Sequence, residues 1–351
     1  MASLKDVAER AGVSICTASR VLGGRYLEGR ISRACAARVL EVAREIGYRP
    51  NYHARSLRRG RARAVGLLLE RPTHGLDSFG FWGQMIAGVD IEARLRGYDF
   101  LVVGAGADDT VADAGLRYLR ERRVDCLVVP GYLYFARTTP ELHRRDVNAV
   151  LVEYQGRTPL PVVELDDAAG IAAAVRRLAE LGHREILWLS PREARHPSVG
   201  RRREAFFRTA GELGLAALDC PADARGDSAG PEGLVEAGHD ALLAELRRGV
   251  RASAVVCYDE PRAFGAYAAL AEFGLRIPED VSVVGFDDIH ARVARPPMTV
   301  VSHMLGELGR RAAALAIEMA TDEKARARLC GKRVKIPAEL VERGSIGPAM
   351  G

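Results

Sequence analysis

From Ala64 onward, short apolar runs alternate with longer stretches of helical periodicity, and this alternation constrains the chain more than any other feature. The runs Ala64–Leu69, Phe100–Val103, Cys126–Val129, Ala149–Val152, Val162–Leu165, Ile186–Leu189, Ala254–Cys257 and Val281–Gly285 read as strands. Helical stretches fall between most of them, notably Gly83–Arg96, Ala168–Leu181, Arg202–Leu213, Pro261–Phe273 and Leu305–Ala320. Such alternation predicts parallel sheets covered on both faces by helices. Two sheets suit the length, because 351 residues exceed the roughly 250–300 that one core serves.

Charge separates the first sixth of the chain from this body. Residues 1–63 hold fourteen Lys/Arg and five Asp/Glu, a net of +9, so the overall +5 leaves −4 for the remainder. A basic head on a slightly acidic body reads as a polyanion-binding segment, with a solvated basic tail as the alternative. Hydrophobic residues at 48% and charged residues at 28% exclude a disordered or collagen-like chain. No run approaches the ~20 apolar residues of a membrane-spanning helix, and the first residues lack the pattern of an export signal, so a cytoplasmic protein is expected. Six cysteines without a Cys-x-x-Cys pair and eight dispersed histidines predict reduced thiols, no metal and no cofactor. Walker, His-Glu-x-x-His and Gly-x-Ser-x-Gly sequences are absent, and no enzyme is expected. Gly104-Ala105-Gly106 follows a strand, but Asp109 stands where a dinucleotide loop has its third glycine, so it reads as a turn.

Periodicity favours a folded head. Leu4, Val7, Ala8 and Ala11 form one helical face behind the cap pair Ser3 and Asp6, and Gly12 ends the helix. Ser14 caps a second helix over Ile15 to Leu22, with Ala18, Val21 and Leu22 on one side and Ile15, Cys16, Ser19 and Arg20 on the other. A third helix after Ser32 runs to Gly47 and closes an all-α helix-turn-helix unit. In such units the second helix enters the major groove. Arg20 suits a bidentate contact to guanine, Ile15 and Cys16 suit a thymine methyl, and Ser14, Thr17 and Ser19 suit phosphates. A protein-interaction module is the alternative.

The blocks Leu4-Lys5-Asp6-Val7-Ala8-Glu9-Arg10-Ala11-Gly12-Val13-Ser14, Ser19-Arg20-Val21-Leu22 and Gly47-Tyr48-Arg49-Pro50-Asn51 resemble the headpiece of the lactose/galactose repressor (LacI/GalR) family. The chain departs from it at Gly23, where the family usually has Asn, and in a longer loop before Ile31. The resemblance implies a headpiece over 1–49 and a hinge over 50–63, with Asn51 capping a short helix that includes Ala54, Arg55 and Leu57. The six residues Tyr52 to Leu57 are too few to stay helical alone. By resemblance, paired hinges enter the minor groove, Leu57 wedges between base pairs, and Ala54 permits close approach.

The body resembles the same family through Glu164-Leu165-Asp166-Asp167-Ala168-Ala169-Gly170, Leu181-Gly182-His183-Arg184, Arg202-Arg203-Glu204-Ala205-Phe206 and the stretch Gly274 to Asp288. The implied core is α/β and similar to periplasmic binding proteins: two parallel-sheet subdomains, 64–164 with 294–324 and 165–293 with 325–345. Ligands of open α/β sheets bind beyond the carboxyl ends of strands. Matching positions place Glu153, Arg202, Tyr258, Asp287 and His303 in an effector pocket, with Phe81 and Trp82 as aromatic walls. For Arg202 and Glu153 a plain ion pair is the alternative, for Asp287 a turn cap, and His183 is expected to cap a helix. The family usually has Asp at the place of Glu153, Asn at that of Tyr258 and Gln near His303. A sugar or related polyol is the implied ligand class. The implied whole is a dimeric, ligand-responsive repressor of a near-palindromic operator, with a free solute-binding receptor as the rival.

Overall fold

The computed structural model describes residues 2–24, 31–49, 60–69, 79–104, 111–131, 147–192, 197–223 and 231–349. Two compact units emerge, Met1–Ala62 and Arg63–Gly351. Among the described residues no helix is long and apolar enough to cross a membrane.

In the first unit, helices span Leu4–Arg10, Ile15–Leu22 and Arg33–Glu45. Each start is fixed by a serine. Ser3 and Asp6 form a reciprocal capping box, Ser14 Oγ accepts from Thr17 N at 3.0 Å, and Ser32 Oγ accepts from Cys35 N at 3.2 Å. Gly12, at φ +61°, makes the tight turn that a side chain would strain. Val7, Ala8, Ala18, Val21, Val39 and Ala43 meet in one small core, and Tyr48 packs against it.

Among its described residues the second unit forms two six-stranded sheets. The first holds β1 (Ala64–Leu68), β2 (Asp99–Val103), β3 (Cys126–Pro130), β4 (Ala149–Val152), β5 (Val162–Asp166) and β11 (Arg333–Pro337) in the order β11-β5-β4-β3-β1-β2, all parallel. The second holds β6 (Glu185–Ser190), β7 (Ala216–Pro221), β8 (Ala254–Cys257), β9 (Ser282–Asp287), β10 (Thr299–Ser302) and β12 (Glu339–Val341) in the order β12-β10-β9-β8-β6-β7, parallel except for antiparallel β12. Each of the eight expected strands forms, with ends displaced by at most two residues. Strands β7, β10, β11 and β12 were not anticipated. Three are edge strands whose mixed polar sequences leave no apolar run, and β10 is only four residues long.

The chain passes between the sheets three times: at Asp166–Asp167, at His303–Met304 and at Ala338. This corrects two expected boundaries. Residues 299–302 pair with β9 and so belong to the second half, while helices Leu305–Thr321 and Glu323–Leu329 pack into the first core and β11 pairs with β5. Helix Leu305–Thr321 lies close against helix Phe79–Leu95, because a Cβ on Gly88 would run into the carbonyl of Gly306 and one on Gly309 into that of Met85. His183 is also corrected. Instead of capping a helix, it is buried, with Nδ1 at 2.9 Å from Ser253 Oγ and Nε2 at 3.1 Å from the Gly347 carbonyl, pinning the C-terminal strap. Burial lowers its pKa and keeps the ring neutral.

Candidate functional site

In the helix Ile15–Leu22, the 3.6-residue period turns Ala18 and Val21 into the core and leaves the opposite face to solvent. Ile15 is 51% exposed, Cys16 and Arg20 are exposed, and Thr17 and Ser19 are half-buried. An isoleucine with half its surface in water at the first turn of a helix is unexplained by packing. Ser14 Oγ also lies 2.9 Å from Thr17 Oγ1, so both hydroxyls are oriented at the start of the helix. Asn51, Ala54, Arg55 and Leu57 lie outside the described residues.

The second site lies where the two sheets meet. Its centre is Arg202, 5% exposed, on helix Pro197–Glu212. Its Nε donates to Asp167 Oδ2 at 3.2 Å and its Nη1 to the Tyr258 carbonyl at 2.8 Å, while its Nη2 lies 2.7 Å from His303 Nε2. A guanidinium only donates, so Nε2 accepts and the imidazole proton sits on Nδ1, which lies 2.7 Å from Asp287 Oδ1. Burial, reinforced by Arg202, lowers the pKa of His303 against the pull of Asp287 and keeps the ring neutral. The guanidinium also lies 3.6 Å from the centre of the Phe286 ring.

Arg201 extends this network to the first half. Its Nη2 donates to Asp167 Oδ2 and Glu153 Oε2, each at 3.1 Å. Glu153 follows β4 and also accepts from Leu165 N. Burial pushes its carboxyl up to about 7, against the backbone hydrogen bond and Arg201. Burial acts likewise on Asp167, but Arg202 and Arg201 outweigh it and hold that carboxyl below its ordinary value. Asp287 is also held low, because His303 and Arg202 overcome its burial. Tyr258, raised by burial, places its hydroxyl 2.8 Å from Ser198 Oγ. Glu153, Asp287, Asp288 and Met304 all have positive φ, so backbone strain gathers around this junction.

Five residues singled out from sequence, Glu153, Arg202, Tyr258, Asp287 and His303, thus sit in one network. Trp82 is half-buried against the first core, and the side chain of Phe81 lies outside the described residues. The ion pair weighed between Glu153 and Arg202 is made by Arg201 instead. Sequence reasoning missed Asp167, Arg201 and Ser198. Asp167 had a signal, since it directly follows strand β5. Periodicity alone cannot separate three consecutive arginines, of which Arg203 points away to Asp219. Among the described residues no group of three His, Cys, Asp or Glu side chains is placed to hold a metal ion.

Residues 3–51 match the family described as bacterial regulatory proteins, lacI family, and residues 175–346 match the periplasmic binding protein-like domain. The chain is 28% identical to the HTH-type transcriptional regulator RegA of Clostridium saccharobutylicum, over 98% of each chain. It is 29% identical to the HTH-type transcriptional regulator GalR of Escherichia coli, over 91% of this chain and 90% of that one. Among solved structures, the lac repressor dimer bound to operator and an anti-inducer superposes with a TM-score of 0.77 at 22% identity, over 99% of each chain. A complex of the transcriptional regulator CelR with cellobiose gives a TM-score of 0.63 at 25% identity, over 98% of this chain and 100% of that one.

Proposed function

The chain belongs to the LacI family of bacterial regulatory proteins, and from that footing we propose how its residues divide the work of a ligand-responsive transcriptional regulator. The protein is a DNA-binding regulator, not an enzyme, and acts as a dimeric repressor in the cytoplasm. The headpiece comprises 1–49, the hinge 50–63 and the effector-binding core 64–351. Ile15, Cys16 and Arg20 read base edges, while Ser14, Thr17 and Ser19 hold phosphates. Asn51, Ala54, Arg55 and Leu57 act at the centre of the operator.

Arg202, Asp287, His303, Tyr258 and Glu153, joined by Asp167, Arg201 and Ser198, receive a sugar or related polyol, with Phe81 and Trp82 beside it. Paired carboxylates and guanidinia suit neighbouring hydroxyls. Neutral His303, accepting from Arg202 and facing Asp287, keeps both of these groups in place. Since the network contains residues of both halves, a ligand entering it has unequal affinity for different arrangements of the halves, which is the condition for coupling to DNA.

The observation that carries this reading is the exposed Ile15–Cys16–Arg20 face opposite buried Ala18 and Val21. Its test is Arg20→Ala against an operator selected from random duplexes. Affinity should fall by about 1–3 kcal/mol and preference relax at one base position. Unchanged affinity and preference would remove Arg20 from the interface.

A further inference from the structure

All strands of the first sheet are parallel, so their amino ends share one edge. The registers align these starts: Ala64 opposite Asp99, Val65 opposite Cys126, Leu127 opposite Ala149 and Arg333 opposite Val162. The chain enters the second unit at this edge, through Arg63 into β1. Three described segments reach the edge beside it: 94–99 before β2, 117–125 before β3 and 321–333 before β11. Together they carry eleven basic and five acidic residues, net +6, whereas the rest of 64–351 carries −10. The body's mild acidity therefore conceals a strongly basic rim.

Local structure accounts for only part of this charge. Arg94 and Arg120 sit in the last turns of helices Phe79–Leu95 and Val111–Arg120, where the helix dipole favours cations. Arg96 pairs with Glu92, and Arg333 pairs with Glu164 at 2.6 Å. Arg122 lies in a turn, Lys332 follows the turn at Cys330–Gly331, and Lys324 lies in the first turn of helix Glu323–Leu329, where the dipole disfavours a cation. All three are exposed, and none makes an ion pair among the described residues.

Backbone strain marks the same edge. Six described non-glycine residues have positive φ: four surround the ligand network, and the other two are Arg63 at +52° and Arg122 at +55°. Glycine would adopt these conformations without strain, yet arginine occupies both. The Arg123 guanidinium lies 3.8 Å from the centre of the Tyr118 ring, which orders it beside Arg122, and it also lies 3.8 Å from the Glu121 carboxylate.

We propose that this rim is a second DNA-binding surface, a row of cations that holds the phosphate backbone of the duplex engaged by the headpiece. The proposal rests on the reading of the protein as a DNA-binding regulator. Six strands about 4.8 Å apart make an edge about 24 Å long. Duplex DNA carries one charge per ~1.7 Å of axis, so several phosphates fall within that span. Arg63, through which the chain enters the second unit, lies on this edge. The contacts are to phosphate only, so they add affinity and salt dependence without adding sequence preference.

The test uses the full-length protein and a 40-base-pair duplex pool, before and after selection for binding. Arg120→Gln/Arg122→Gln/Arg123→Gln should lower the slope of log K against log salt by about 2–3 and weaken low-salt binding at least about tenfold, with the enriched sequence unchanged. Because Arg123 packs on Tyr118, Lys324→Gln/Lys332→Gln provides a second variant that touches no packing, with an expected slope change of about 1–2. Retention of the parental slope by both variants overturns the proposal, as does a change in the enriched sequence. If selection enriches nothing, the regulator reading fails, while the slopes on the unselected pool still decide whether the rim binds DNA.

Discussion

The exposed face of the helix Ile15–Leu22 and the network around Arg202 solve opposite problems with similar side chains. On the helix, Arg20 stands in water, and among the described residues Ser14 and Thr17 pair only with each other and the local backbone. At the junction of the sheets, Arg202, Asp167, His303 and Asp287 each face a partner within about 3 Å. A surface for a polyanion can remain solvated and unpaired, because its partner supplies the opposite charge and water tolerates the wait. A buried site has no such freedom, since an unpaired charge in a sheet junction costs several kcal/mol, so it must be satisfied internally before a ligand arrives.

This contrast breaks most visibly if Arg202 is removed. Arg202→Ala leaves Asp167 with Arg201 as its cation and removes the donors to His303 Nε2 and the Tyr258 carbonyl, and should destabilise the body by about 3–5 kcal/mol in denaturant unfolding. A loss below about 1 kcal/mol would mean that the network does not hold the halves as described.

The next effect is one of pH. The Glu153 carboxyl rises from an ordinary 4.5 to about 7 on folding, so its contribution is full below pH 4.5 and is lost as pH rises through about 7. Glu153→Gln cannot lose it. Relative to the parent, the variant should gain about 2–3 kcal/mol between pH 4.5 and 8, read from unfolding midpoints across that range. Parallel pH profiles would contradict a proton held on Glu153.

Arg20→Ala sharpens the other side of the contrast. Its cost of about 1–3 kcal/mol should appear in DNA binding alone, with unfolding unchanged to within about 0.5 kcal/mol. The smallest effect is expected at Ser14. Ser14→Ala removes the cap on Thr17 N and should cost the headpiece about 1 kcal/mol in thermal unfolding, and no change would show that the cap is dispensable.

The headpiece was almost fully legible because its signals are local: serine caps, a glycine turn and a helical period act within a few residues. Central strands such as β1 and β3 were equally legible, being buried at every residue and so apolar throughout. Strand β11 was not, since Arg333-Val334-Lys335-Ile336-Pro337 follows an edge that is apolar on one side only. Nor could sequence place the second and third crossings between sheets, which depend on which edge a short strand joins. In the network around Arg202, five members were named from the sequence and their pairing was not. Whether Glu153 meets Arg201 or Arg202 is decided by helix rotation within a single turn.

If the proposed function holds, a ligand at the Arg202 network alters DNA binding by the headpiece. The most direct measurement is the operator affinity of the full-length protein, with and without saturating amounts of any sugar that raises its unfolding temperature. At least about a fivefold change is expected, abolished by Arg202→Ala while binding without ligand persists. Equal affinities in the presence and absence of a bound sugar would contradict it.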